Sequence, residues 1–140
     1  MYFYDGFKNP PFEPVIAVDI ADVVDDKFKI YNCHVSQVYE WLPFTYGTLD
    51  TVPEGEEERK RWLREPLVPR DRLLSVEELS VPTMSRHGEY SLALKAAICR
   101  DTVVARYGDK AKNIIFAEIF GISEYGKKLT DENRDVLFPF

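Results

Sequence analysis

The chemistry open to this chain starts from two imidazoles, His34 and His87, the only histidines in its 140 residues. His34 stands in the string His34-Val35-Ser36-Gln37. That string sets a ring able to carry a proton or hold a metal close to a hydroxyl and a carboxamide. At about 100° per residue in a helix, His34 and Gln37 fall on or beside one flank. The flank is otherwise apolar, so both groups need hydrogen-bond partners. They read either as satisfied core polar groups or as pocket residues that orient a ligand. A metal centre is a separate matter. Catalytic zinc takes roughly three protein ligands, whereas the two histidines lie 53 positions apart and neither has a second ligand at helical or hairpin spacing. No metal ligand is therefore assigned.

Other reactive groups read more plainly. Glu118 lies inside the apolar run Asn113 to Phe120, and a lone carboxylate on a buried strand needs a cation or donor. Arg86 and Arg106 are the expected partners, unless the carboxylate reaches a pocket. Arg70 and Arg72 can contact a carboxylate or a phosphate. The basic run Arg59-Lys60-Arg61 follows Glu56-Glu57-Glu58, so it is a solvated helix face, with Glu57 and Arg61 at a favourable i,i+4 spacing. Cys33 and Cys99 sit in amphipathic helical patterns and read as reduced core thiols. No glycine-rich phosphate loop, G-x-S-x-G or paired-carboxylate motif occurs.

These residues must be positioned by a small set of elements. Val15 to Ile20 is almost wholly apolar and predicts a strand covered on both faces. It runs into a long helix over 21–42, with Asp19 or Asp22 as cap and Pro43 as its stop. One stripe of this helix is Val24, Phe28, Tyr31, Val35, Val38, Tyr39 and Leu42. A second is Val23, Ile30, His34 and Trp41, so burial on two sides is expected. A short helix follows at 54–65. The irregular stretch 66–82 holds a turn of helix at Val76 to Leu79 and wraps a surface or lines a site. Ser85 or Glu89 opens a second long helix, 86–107, closed by Gly108 as C-cap. Strands are also expected at 1–4 and 113–120. Asp5-Gly6 is a turn, 9–14 an extended loop, and the tail ends in aromatics that dock on a groove.

The order Val18-Asp19-Ile20, then a helix, then His34-x-Ser36-Gln37, then Trp41-Leu42-Pro43 resembles the C-terminal half of the PIG-L-type (LmbE-like) deacetylases. Ala117-Glu118-Ile119-Phe120 and Ser123-Glu124-Tyr125-Gly126 are similar to that family's closing strand and the segment after it. The resemblance covers Pro14 to Leu42 and Ala117 to Gly126, and rests on element order between them. It implies an α/β fold, a partial Rossmann-like LmbE-type layer of about three strands (1–4, 15–20, 113–120) with helices 21–42, 86–107 and 54–65. Residues 1–140 would form one domain, the C-terminal portion of the family fold. The implied activity is zinc-dependent removal of acetyl from N-acetylglucosamine-type glycoconjugates. The family's metal site rests on an A-H-P-D-D string and an H-x-x-H pair, and neither occurs here. Zinc is thus implied for the complete family enzyme, with none expected on this chain alone, which is expected to be inactive. His34, Ser36 and Gln37 would line the substrate pocket or steady groups that do. The family's usual acid after the strand's Phe is Gly121 here, so no role is carried over at that point.

A net charge of −6 argues against a nucleic-acid or anionic-membrane surface. The 45% hydrophobic and 30% charged content suits a globular core of ordinary size. No apolar run approaches a membrane span and the N-terminus has no signal-peptide pattern, so the cytoplasm is the expected home. The alternative to the hydrolase is a non-catalytic α/β interaction or regulatory module, or the small subunit of a two-chain hydrolase. Either would join a second chain, or its own copy, through the exposed edge of a truncated parallel sheet.

Overall fold

The computed structural model describes residues 2–3, 13–80, 88–123, 125 and 128–139, with backbone only for 2–3. His87, Arg86, Glu124, Gly126 and the Asp5-Gly6 turn lie outside these residues. The architecture is mixed α/β and mostly helical. Strand β2 (Ile16–Asp19) pairs antiparallel with β3 (Ala117–Gly121), and the two-residue β1 (Tyr2–Phe3) pairs antiparallel on the other side of β3. The expected parallel layer is therefore corrected: every described pairing runs antiparallel. An apolar run of this length specifies burial on both faces but carries no mark of the partner's direction.

Register explains the two cores. Ala17 stands opposite Ile119, and both face helix α6 (Arg100–Tyr107), where Cys99, Val103, Ala111 and Ile114 complete a small cluster. Val18 stands opposite Glu118 on the other face, beside the main core. That core joins Val24 and Phe28 of α1 (Val24–Cys33), Trp62 and Leu63 of α3 (Glu56–Arg64), Leu79 of α4 (Val76–Leu79), Leu92 and Ala93 of α5 (Glu89–Ile98), and Phe116. The β2 edge is not open. Ala17 is fully buried under α6, and the Asp19 backbone N–H donates to the Tyr107 hydroxyl at 3.0 Å.

Both long helices are broken. The first begins as a 3-10 turn (Ala21–Val23) whose N-cap is Ile20 and not Asp19 or Asp22; Asp19 Oδ1 accepts from the Ala21 N–H, and Asp22 lies inside the turn. It then runs as α1 to Cys33, breaks at His34 (φ −90°, ψ 56°), and resumes as a π-helical turn over Gln37–Trp41 and as α2 (Leu42–Tyr46). Pro43 is inside this second segment, not at its stop. The Leu42 N–H reaches back to the Gln37 carbonyl, five residues away. A widened turn just before proline relieves the clash its ring would make with the carbonyl four back. The segment ends at Gly47, whose φ of 68° needs glycine's freedom. The second long helix breaks at Cys99 into α5 and α6, and Gly108 closes α6 as expected.

Two short helices open on reciprocal capping boxes. Ser75 and Glu78 form a reciprocal capping box on α4. The tail's α7 (Asp131–Leu137) has a Thr130/Asn133 box, and Phe138 beyond it packs on Phe120 at 6.1 Å. The tail thus docks on this same chain, with Arg106 donating to the Phe138 carbonyl at 2.8 Å.

Candidate functional site

The π-helical turn and the proline-started α2 carry the site. In a turn of this kind the Gln37, Glu40 and Trp41 side chains leave the regular α spacing, which is how such bulges re-aim residues. Val38 and Tyr39 point inward and hold the turn down. The Tyr39 hydroxyl donates to Asn32 Oδ1 at 2.8 Å, and its ring lies 6.1 Å from Trp62. On the outer side, Ser36, Gln37, Glu40, Trp41, Phe44 and Leu49 line an open groove of about 580 Å³. Trp41 is 59% exposed and Phe44 71%. Ser36, Gln37 and Glu40 are exposed, and none makes a side-chain hydrogen bond or ion pair among the described residues. An aromatic floor with free polar groups along its side is the usual chemistry of a ligand groove.

Of the sequence-predicted residues, Ser36 and Gln37 meet in this groove and His34 does not line it. All three are exposed, which corrects the expectation of a buried flank. The whole second stripe is uncovered, with Val23 at 52%, Ile30 at 60% and Trp41 close to that. Helical periodicity does not run unbroken from Val23 to Trp41, since the break at His34 and the π-helical turn lie between them. Val35 of the first stripe is also turned out, because the break at His34 resets the phase. Cys33 is exposed too, its thiol donating to the Lys29 carbonyl, while Cys99 is buried and burial pushes its thiol up.

The chain matches no family model, no curated protein and no solved structure.

Among the described residues no three His, Cys, Asp or Glu side chains converge. Glu118 is engaged, among the described residues, by two cations, Lys27 of α1 at 2.7 Å and Lys95 of α5 at 2.9 Å, and not by Arg106; Arg86 lies outside them. Burial alone would raise this carboxyl, but the charges and hydrogen bonds of the two lysines bring it below the ordinary carboxylate range. Glu118 is thus a tie between two helices and the sheet.

A second buried carboxylate escaped the sequence reading. Glu89, fully buried, accepts from Arg64 Nη2 at 2.6 Å, Arg70 Nη2 at 2.8 Å and the Val68 N–H at 3.0 Å. Arg64 also reaches Asp25 at 2.9 Å. Arg72 pairs with Glu78, so the two loop arginines contact carboxylates of this chain. The recess beside Arg64 and Arg70 is therefore already charge-matched. A recess of about 830 Å³ between α6 and the tail is crossed by internal bonds of Tyr107 and Arg106, while Lys110, Asn113 and Asp135 on its lining make no side-chain bond among the described residues. In the Ser36–Trp41 groove none of the three polar lining side chains, Ser36, Gln37 and Glu40, is engaged among the described residues. Among the described residues no helix is long and apolar enough to cross a membrane.

Proposed function

We propose that this chain is the C-terminal part of a zinc-dependent de-N-acetylase, cytoplasmic, acting on N-acetylglucosamine-type glycoconjugates and supplying one wall of the substrate pocket. The observation that supports this reading is the meeting of Ser36 and Gln37, from the H-x-S-Q string, with Trp41 and Phe44 in one groove. The metal-binding residues belong to the half of the family fold that is not in this sequence, so no hydrolytic step is assigned to the residues present. Here Gln37 and Ser36 bind and orient the sugar. His34, exposed at the helix break, touches only what a covering element brings to it. The antiparallel pair β2–β3 stands at the margin of a Rossmann-like layer completed by that other half.

A second reading is a non-catalytic interaction module or the small subunit of a two-chain hydrolase. It is favoured by the uncovered stripe Val23, Ile30 and Trp41, because apolar surface of this kind marks an interaction site. The sheet edge first expected to mediate such contact is closed at β2 by α6, so the helical stripe takes its place.

The test is to isolate the chain in its native assembly from its source cell. The assembly is then assayed for zinc and for acetate released from an N-acetylglucosamine conjugate. The recombinant chain alone is expected to release none, and the native assembly to hold zinc and release acetate until chelated. A native preparation without zinc or acetate release overturns the proposal.

A further inference from the structure

We infer that Trp41 is a stacking platform for one pyranose ring, with Gln37, Ser36 and Glu40 hydrogen-bonding the ring's hydroxyl and acetamido groups. The inference rests on the reading of the groove as a pocket wall, and adds a residue that reading does not assign. Three observations lead to it. The first is the amphipathic division of the groove, with Trp41, Phe44 and Leu49 as apolar surface and three unpartnered polar side chains beside it. A pyranose has the matching division, an axial C–H face and an equatorial rim of hydroxyls. The second is charge. The lining contains one carboxylate, Glu40, and no lysine or arginine. Phosphate, sulfate or a nucleic-acid backbone would meet repulsion there without compensation. A neutral polyol accepts from Gln37 and donates to Glu40. The third is rigidity. The turn is fixed from below by Tyr39 and from its C-terminal side by Pro43, so Trp41 is presented on a preset backbone and little ordering cost remains on binding.

The probe is methyl N-acetyl-β-D-glucosaminide, with methyl β-D-glucoside as its partner, titrated into the full chain and followed by amide NMR. Both sugars are expected to shift resonances of residues 36–49 and to leave those of α5 and α6 still. Trp41→Ala is expected to weaken binding about tenfold, and Trp41→Tyr to retain most of it. Unchanged amide shifts elsewhere certify that each variant is folded. Sugar binding that Trp41→Ala leaves unaltered overturns the platform while sparing the wall. Trp41-dependent binding with no preference for the acetamido sugar upholds the platform and counts against the de-N-acetylase reading. No groove shift with either sugar at tens of millimolar, or shifts that only accompany self-association in the sedimentation profile, overturns the platform.

Discussion

Glu89→Gln is the substitution on which the structure makes its firmest demand. The carboxylate is fully buried at the first residue of α5, and it ties three parts of the chain together: α3 through Arg64, the following loop through Val68 and Arg70, and α5 itself. Glutamine keeps the shape but replaces one acceptor oxygen with a donor. Whichever way the amide turns, its NH2 faces either guanidinium N–H groups or the Val68 N–H. Removing one partner of a buried pair costs about 3–5 kcal/mol when the other charge is stranded. Here the Arg64 and Arg70 side chains are 29% and 48% exposed and can recover water. The expected loss is therefore smaller, about 2–3 kcal/mol. At a urea dependence of about 2 kcal/mol per molar, the unfolding midpoint falls by roughly 1 M with an unchanged slope. Gly88 sharpens the expectation, since a Cβ there would lie 2.7 Å from the Glu65 carbonyl oxygen. The α5 start is held too close to α3 to shift and re-form the bonds. A loss under about 0.5 kcal/mol, the range of an ordinary surface change, would refute the claim that this carboxylate organises the α3–α5 junction.

Two further outcomes follow from the same buried groups. The Glu118 carboxyl is held below its usual 4.5 by Lys95 and Lys27 despite its burial. Its contribution is thus present above that value and lost as pH falls through the depressed folded value. The gap in urea midpoint between the parent chain and Glu118→Gln should be widest above about pH 5 and close on acidification; parallel curves would show that the lysines do not favour the ionised form. Thiol titration should find Cys33 reacting at once and Cys99 only on unfolding, because one is exposed and the other buried with its thiol pushed up. Two fast equivalents would place the Cys99 side of α6 in solvent.

What the sequence disclosed was mostly local. The turn of helix at Val76 to Leu79, the glycine end of α6, the acid-to-base order of α3 and the two apolar strand runs all depend on neighbours within a few positions. Pairing direction was not disclosed, because an apolar run looks the same in either orientation. The breaks at His34 and Cys99 carry neither glycine nor proline, so helical periodicity ran straight through them. Glu89 was seen only as a helix start, since its arginines lie 25 and 19 residues away. For the site itself, the string His34 to Gln37 drew attention to the right turn, and Ser36 and Gln37 do share a groove. Of its aromatic floor, Trp41 was read as part of a buried stripe, and Phe44 lies just past the Pro43 at which the helix was expected to stop. Their exposure depends on which elements pack over α1 and α2, a tertiary fact with no local sign.

The uncovered surface also separates the two functional readings by its extent. Burying an aromatic side chain recovers roughly 2–3 kcal/mol of transfer free energy at about 25 cal/mol per Å². Trp41 and Phe44 leave a large part of this unrealised. A single sugar ring covers one aromatic face, and the groove it fills stops at Ser36 on one side and Leu49 on the other. Val23 and Ile30 lie outside that groove and are exposed to a similar degree. A small ligand therefore accounts for the α2 end of the surface and leaves the α1 end unexplained. A covering protein element over α1, with a sugar held at its margin by Gln37 and Trp41, accounts for both. The pocket-wall reading supplies both parts of that arrangement, whereas a free-standing sugar binder supplies only one.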